Sequence, residues 1–211
     1  MKIVWNDEKV LIDETSGNKE YKFEDFMGNI AFGNSRCLVE HASFTITIRN
    51  IKYITGEAQP VRPWDAEANE IVWENGTVVS GHLHARQWTD GVFNGDILRT
   101  SAFVNGTFNG SKLICNVFKD GTVEKGIVEC HSWERGIFSG SAFKGTFHCG
   151  VFMGETFEGT WLDGHFKKGI FRGEWKGGTW FGGDWQGESY VGDGTFASVR
   201  KEGDPAVSTE G

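Results

Sequence analysis

The sequence predicts an all-β fold: a three-sided parallel β-solenoid with coils of 14–15 residues, preceded by a small β-rich N-terminal cap. Three observations carry that expectation. The first is the run from Ile137 to Gly192, IFSGSAFKGTFHCG, VFMGETFEGTWLDG, HFKKGIFRGEWKGG, TWFGGDWQGESYVG, where an aromatic falls every four or five positions with glycines between. In blocks of fourteen the aromatics align in three rows: Phe138, Phe152, Phe166, Trp180; Phe143, Phe157, Phe171, Trp185; and Phe147, Trp161, Trp175 with Tyr190 slipped by one. Rows at a fixed period mark a solenoid, in which one turn of chain stacks on the next and like side chains pile up.

The second is a strictly periodic glycine. From Arg62 the blocks are fifteen long and close at Gly76, Gly91, Gly106, Gly121 and Gly136. The residue before it is Asn75, Asp90, Asn105, Asp120 and, later, Asp163, and Asn-Gly or Asp-Gly tolerates the positive φ of a tight corner. The third is composition. Thirty glycines, nine tryptophans and seventeen phenylalanines against three prolines describe a chain that turns often and buries rings.

In chain order, residues 1–61 do not follow the repeat. KIVW and KVLID flank the turn-like NDE, SFTITIRNIKYIT alternates like a half-buried strand, and FEDFMGNIAF suits either a short helix or a strand. A cap over the first coil is expected here, because an uncovered solenoid end is an open strand edge.

Residues 62–192 form the solenoid. The early blocks continue the three rows with Val78, Phe93, Phe108, Val123; Leu83, Leu98, Leu113, Val128; and Trp73, Trp88, Phe103, Phe118, Trp133. The shortening to fourteen falls between the second and third rows, where Ala85, Thr100, Cys115 and Cys130 give way to Gly145, Gly159, Gly173 and Gly187, so that a corner loses one residue. Over the same boundary the second row swells from Leu and Val to Phe and Trp. About nine coils at ~4.8 Å make a rod about 40 Å long, with an interior filled by rings and no lumen. Residues 193–211 are read as a polar tail, with DGTFASV able to add one last strand. Trp180, Trp185 and Tyr190 are expected to be covered by residues 193–199 or by a partner chain.

A formal charge of −8 argues against nucleic acid, whose phosphates require a positive field. There is no apolar run of membrane-spanning length and no basic-then-apolar leader. Cys37, Cys115, Cys130 and Cys149 lack CxxC spacing and read as reduced thiols, Cys115 and Cys130 at equivalent block positions as a buried thiol ladder.

His82 and His84 flank Leu83 and should both point outward, but Ile97 and Arg99 on the next block offer no third metal ligand. Cys130 and His131 with His148 and Cys149 lie at successive corners one coil apart and should not converge. Asp163, Glu174 and Asp184 are exposed carboxylates for which short coils offer no substrate groove. GxSxG, phosphate-loop and HExxH motifs are absent. The expectation is a non-enzyme with no catalytic, cofactor-binding or metal residues.

The run GTFHCGVFMGETFEGTWLDGHFKKGIFRGEWKGGTWFGG resembles the aromatic-glycine repeat proteins, built from GTFxxG and GTWxxG units, of tailed bacteriophages and some bacteria. The resemblance extends over about Gly76 to Gly192, with Leu, Val and Cys replacing rings in the early blocks. It implies a rigid rod or spacer in a virion, at a tail or fibre, with protein partners or further copies of itself, located in the virion or the host cytoplasm during assembly. The alternative is a binding module that recognises carbohydrate or a protein through the solenoid face, with Phe181 and Trp64 lying off the rows. Mimicry of DNA fits poorly, since residues 62–192 hold twelve Lys and Arg against sixteen Asp and Glu. Ice binding fits no better, because Val92, Ile137 and His165 interrupt the threonines after the corner glycine.

Overall fold

The computed structural model describes residues 2–5, 8–11, 19–32, 34–48, 69–190 and 195–196. Among them there is no helix, and the chain winds as a parallel β-solenoid of about 7 turns. The sequence blocks imply about nine. The difference lies at the ends: the first block is described only from Asn69, and the last contributes only the two-residue rungs Asp184–Trp185, Ser189–Tyr190 and Thr195–Phe196. Seven turns at ~4.8 Å make a rod about 34 Å long.

Each middle coil contains two strands, a two-residue one such as Val92–Phe93 and a longer one such as Ile97–Phe103. Every strand pairs in parallel with its equivalent in the next coil, Phe93 with Phe108, Leu98 with Leu113 and Phe103 with Phe118. The three predicted rows all face inward, and from Trp73 to Trp180 none of their side chains is more than 1% exposed. Along the rod the rings stack face to face, Phe138 on Phe152 at 5.0 Å and Phe157 on Phe171 at 5.1 Å. Around one coil they meet edge to face, Phe138 with Phe143 at 76° and Phe143 with Phe147 at 82°. Both arrangements suit the ring quadrupole, so one packing rule fills the interior in two directions.

The corner before the short strand forms as its residues require. At Gly121 the backbone takes φ 118°, and its N–H donates to Asp120 Oδ1 at 2.7 Å. The same bond joins Gly91 to Asp90 and Gly164 to Asp163.

The change of period is a bulge inside the long strand, not a corner between strands. Cys130 pairs with Gly145 and Ser132 with Thr146, which leaves His131 as the extra residue of the fifteen-residue coil. In two of those coils the small inward residue before the bulge donates to the carbonyl just beyond it: Thr100 Oγ1 to Ala102 O at 3.0 Å, and Cys130 Sγ to Ser132 O at 3.1 Å. Fourteen-residue coils have no bulge. There Gly159 takes φ 139°, and a Cβ on it would overlap the carbonyl oxygen of Gly145 below. In these coils Phe143, Phe157 and Phe171 are fully buried where Leu and Val stand earlier, so the swollen second row and the shortened coil coincide.

The cap is antiparallel. Strands β1 (Lys2–Trp5) and β2 (Glu8–Leu11) pair with each other; β3 (Lys19–Phe32) pairs with β4 (Ser35–Ile48), and β4 with β5 (Asn69–Trp88), the strand that starts the parallel stack. FEDFMGNIAF is thus strand. β4 follows the bends of the coil beneath it, with register shifts at Glu40/Ser43 and His41 at φ 47°. The third row continues into the cap, since Phe44 stacks on Trp73 at 5.8 Å and Phe23 on Phe44 at 4.8 Å. The first coil therefore has both its strand edge and its ring stack covered.

At the far end Thr195 and Phe196 pair with Thr179 and Trp180. Trp180 is buried, whereas Trp185 is half-buried and stacked on Phe171 at 4.8 Å. Trp64, the NIKYIT stretch beyond Arg49 and the polar stretch after Phe196 lie outside the described residues.

Candidate functional site

A core so completely filled leaves chemistry to the outer surface of the long strand. Two rows project from it. One comprises His84, Arg99, Ile114, Glu129, Lys144, Glu158, Arg172 and Gln186, and the other begins His82, Ile97, Lys112 and Ile127. In the middle of the rod their charges neutralise one another: Lys112 Nζ lies 2.6 Å from Glu129 Oε1, and Lys144 Nζ 2.8 Å from Glu158 Oε1. The Glu158 carboxylate beside Lys144 raises that amine above its ordinary value.

Among the described residues, two recesses on this face stand out. Where glycines replace the small residues, the surface sinks into a cleft of 610 Å³ floored by Gly159 and Gly173, with Glu158, Arg172 and Gln186 on one side and Thr160, Glu174 and Glu188 on the other. Arg172 Nε donates to Gln186 Oε1 at 3.0 Å across one rung, and Lys176 lies 3.4 Å from Glu174. This cleft corrects the expectation that short coils offer no groove. It is open and polar, and Gly159 and Gly173 lie in its lining. Of the three carboxylates singled out from the sequence, only Glu174 borders it; Asp163 accepts its corner bond from Gly164 N–H, and Asp184 accepts from Gln186 Nε2 at 2.9 Å.

The second recess, 250 Å³, lies where the cap meets the rod and is lined by Asn34, His82, Leu83, His84, Ile97 and Arg99. His82 and His84 do flank a buried Leu83 and project outward. His82 Nε2 also has a carboxylate at 3.7 Å, Asp96, one position before the Ile97 considered from the sequence. His84 is held in place from the cap by Ser35, whose buried hydroxyl accepts from His84 N–H at 3.0 Å and donates to His84 O at 3.2 Å. That clamp spans 49 residues of sequence and was not visible in it. Partial burial, and then the Arg99 guanidinium, hold the His84 imidazole below its ordinary range.

The other paper constellations separate. Cys130 faces the core while its neighbour His131 is exposed, as are His148 and Cys149. Among the described residues no group of three or more His, Cys, Asp or Glu comes together to hold a metal. Cys115 and Cys130 form the expected ladder as free, buried thiols, and the bond to Cys130, followed by burial, pushes Cys115 well above the usual thiol range. Phe181, considered as a sugar platform, is 36% exposed, but Lys167 Nζ sits 3.2 Å over its ring centroid.

Comparison of the chain with family profiles, curated proteins and solved structures found no match.

Proposed function

We propose that this chain is a non-catalytic structural or interaction protein, a rigid β-solenoid rod serving as a virion component at a tail or fibre. The observation that supports it best is the unbroken third row from Trp73 to Trp175, each ring stacked on the next and none more than 1% exposed. Such a column, with a backbone ladder on every coil, resists local opening because no rung yields without exposing its neighbours. The repeat resemblance supplies the virion context. Mass spectrometry of purified particles from a phage that encodes the chain tests it: the peptides are expected at stoichiometric levels, and their absence overturns the virion role.

One observation favours a binding module as the second reading. The cleft over Gly159 and Gly173 presents a fresh pair of polar side chains on each rung, a spacing of ~4.8 Å suited to an extended ligand lying along the rod. A glycan array carrying the intact protein distinguishes carbohydrate from protein as its occupant. Hits that vanish in Glu174→Ala support carbohydrate, and an empty array removes it.

A further inference from the structure

We propose that the recess between the cap and the rod binds a tetrahedral oxyanion, a phosphate group either free or carried as a monoester. This inference is independent of the virion role. The first support is a break in the charge pattern. Further along the rod the outward row alternates in sign and its members pair, Lys144 with Glu158 being the example at 2.8 Å. At the cap end the same row places His84 directly beside Arg99 in parallel register, and the neighbouring row places Arg36 beside His82. His82, His84 and Arg99 thus line one recess in a protein of net charge −8. The carboxylate described nearby, Asp96, lies against His82 and not against the His84–Arg99 pair.

The second support is that the position is built. The hairpin tip delivers Asn34 to the rim and buries Ser35, which spends its hydroxyl on both backbone groups of His84. The imidazole therefore stands on a fixed backbone, with a guanidinium one rung away and a carboxamide opposite. Guanidinium and imidazolium N–H groups are strong donors to phosphate oxygens, and a planar fork is suited to two of them at once. A volume of 250 Å³ accommodates such an anion with some of its water, while Ile97 supplies an apolar wall that strengthens the attraction.

The third support is electrostatic. His84 resists protonation through burial and through Arg99. A bound dianion reverses the second cause, so binding and protonation of His84 must favour each other. The elements packed around this imidazole carry Asn34 and Arg36 on the cap, the Arg36 guanidinium donating to Ser35 O, His82 and Arg86 on its own strand, and Arg99 and Asp96 on the next coil, with Asp96 against His82.

The test is an NMR titration of the His82 and His84 imidazoles in the full chain. It is run with inorganic phosphate, with methyl phosphate, and with sodium chloride at matched ionic strength. Saturable phosphate binding that moves the His84 midpoint up by about one pH unit, a tenfold change in its proton affinity, is the expected result. Arg99→Gln, an exposed position, should raise the His84 midpoint without phosphate and weaken phosphate binding at least tenfold. Lys144→Gln should change neither. Binding of methyl phosphate as well as phosphate identifies a monoester ligand, and binding of phosphate alone a free ion. A phosphate effect no larger than that of chloride, or one that survives in Arg99→Gln, overturns the proposal.

Discussion

The sulfur of Cys115 lies 3.1 Å from that of Cys130 on the next coil, and Cys130 in turn donates to the carbonyl of Ser132. Thr100 occupies the same slot one coil earlier and makes the same bond to Ala102 O. The slot thus takes a small side chain, Ala85, Thr100, Cys115 or Cys130, and the thiols are there for packing and hydrogen bonding. Cys130→Thr is therefore expected to change stability by less than about 1.5 kcal/mol, as a urea unfolding midpoint would show.

Thiol reactivity should divide by burial. Cys149 is exposed, whereas burial pushes Cys37 up to about 12 and Cys115 is raised as well. A chromogenic disulfide reagent should release one equivalent from the native protein, from Cys149, and the rest only on unfolding. Rapid release of two or more equivalents would contradict the burial.

The rows carry the stability, and their members are unequal. Phe157→Ala removes a ring that stacks on two neighbours and should cost roughly 3–5 kcal/mol. Trp161→Phe should cost less than about 1.5 kcal/mol, because Phe147 fills the same row below and the buried Nε1–H of Trp161 has no hydrogen-bond partner to lose. Paired denaturation curves decide, and equal losses in both variants would refute the distinction.

Gly159 is constrained both by its conformation and by the backbone beneath it. At φ 139° and with Gly145 O in the way, Gly159→Ala should cost more than about 2 kcal/mol although nothing polar is lost. An unchanged melting midpoint would show that the fourteen-residue coil does not depend on this close approach.

His84 predicts the sign of a pH effect. Its native pKa lies below the ordinary 6.5, chiefly through burial, so the unfolded chain takes up this proton more readily than the folded one. The associated stability is full above pH 6.5 and is lost as pH falls through the lower native value. His84→Asn should flatten that decline relative to the parent in urea midpoints taken between pH 8 and 5. Identical slopes would remove His84 from the acid response.

The rows and the corner glycines were legible because each obeys a rule of one residue type at one spacing: Phe138, Phe152 and Phe166 are buried where the period places them. The antiparallel cap was legible only as β-rich, since the bends at Asp25 on β3 and His41 on β4 fall at residues that announce no corner. The recesses were not legible. The cleft is lined by side chains from three successive coils, Glu158, Arg172 and Gln186 among them, and the cap pocket depends on Ser35 reaching His84 across 49 residues, a contact that no local pattern encodes.

The register of the rungs has a consequence for the gene. Thr107 pairs with Val92 and with Thr122 in the same way, so the block 107–121 meets its neighbours through interchangeable surfaces. Excising it would join Gly106 to Thr122 in phase, shorten the rod by ~4.8 Å and leave the cap pocket and the glycine-floored cleft intact. Length is therefore a heritable dimension that one in-frame duplication or deletion can reset, while the two ends keep whatever they bind.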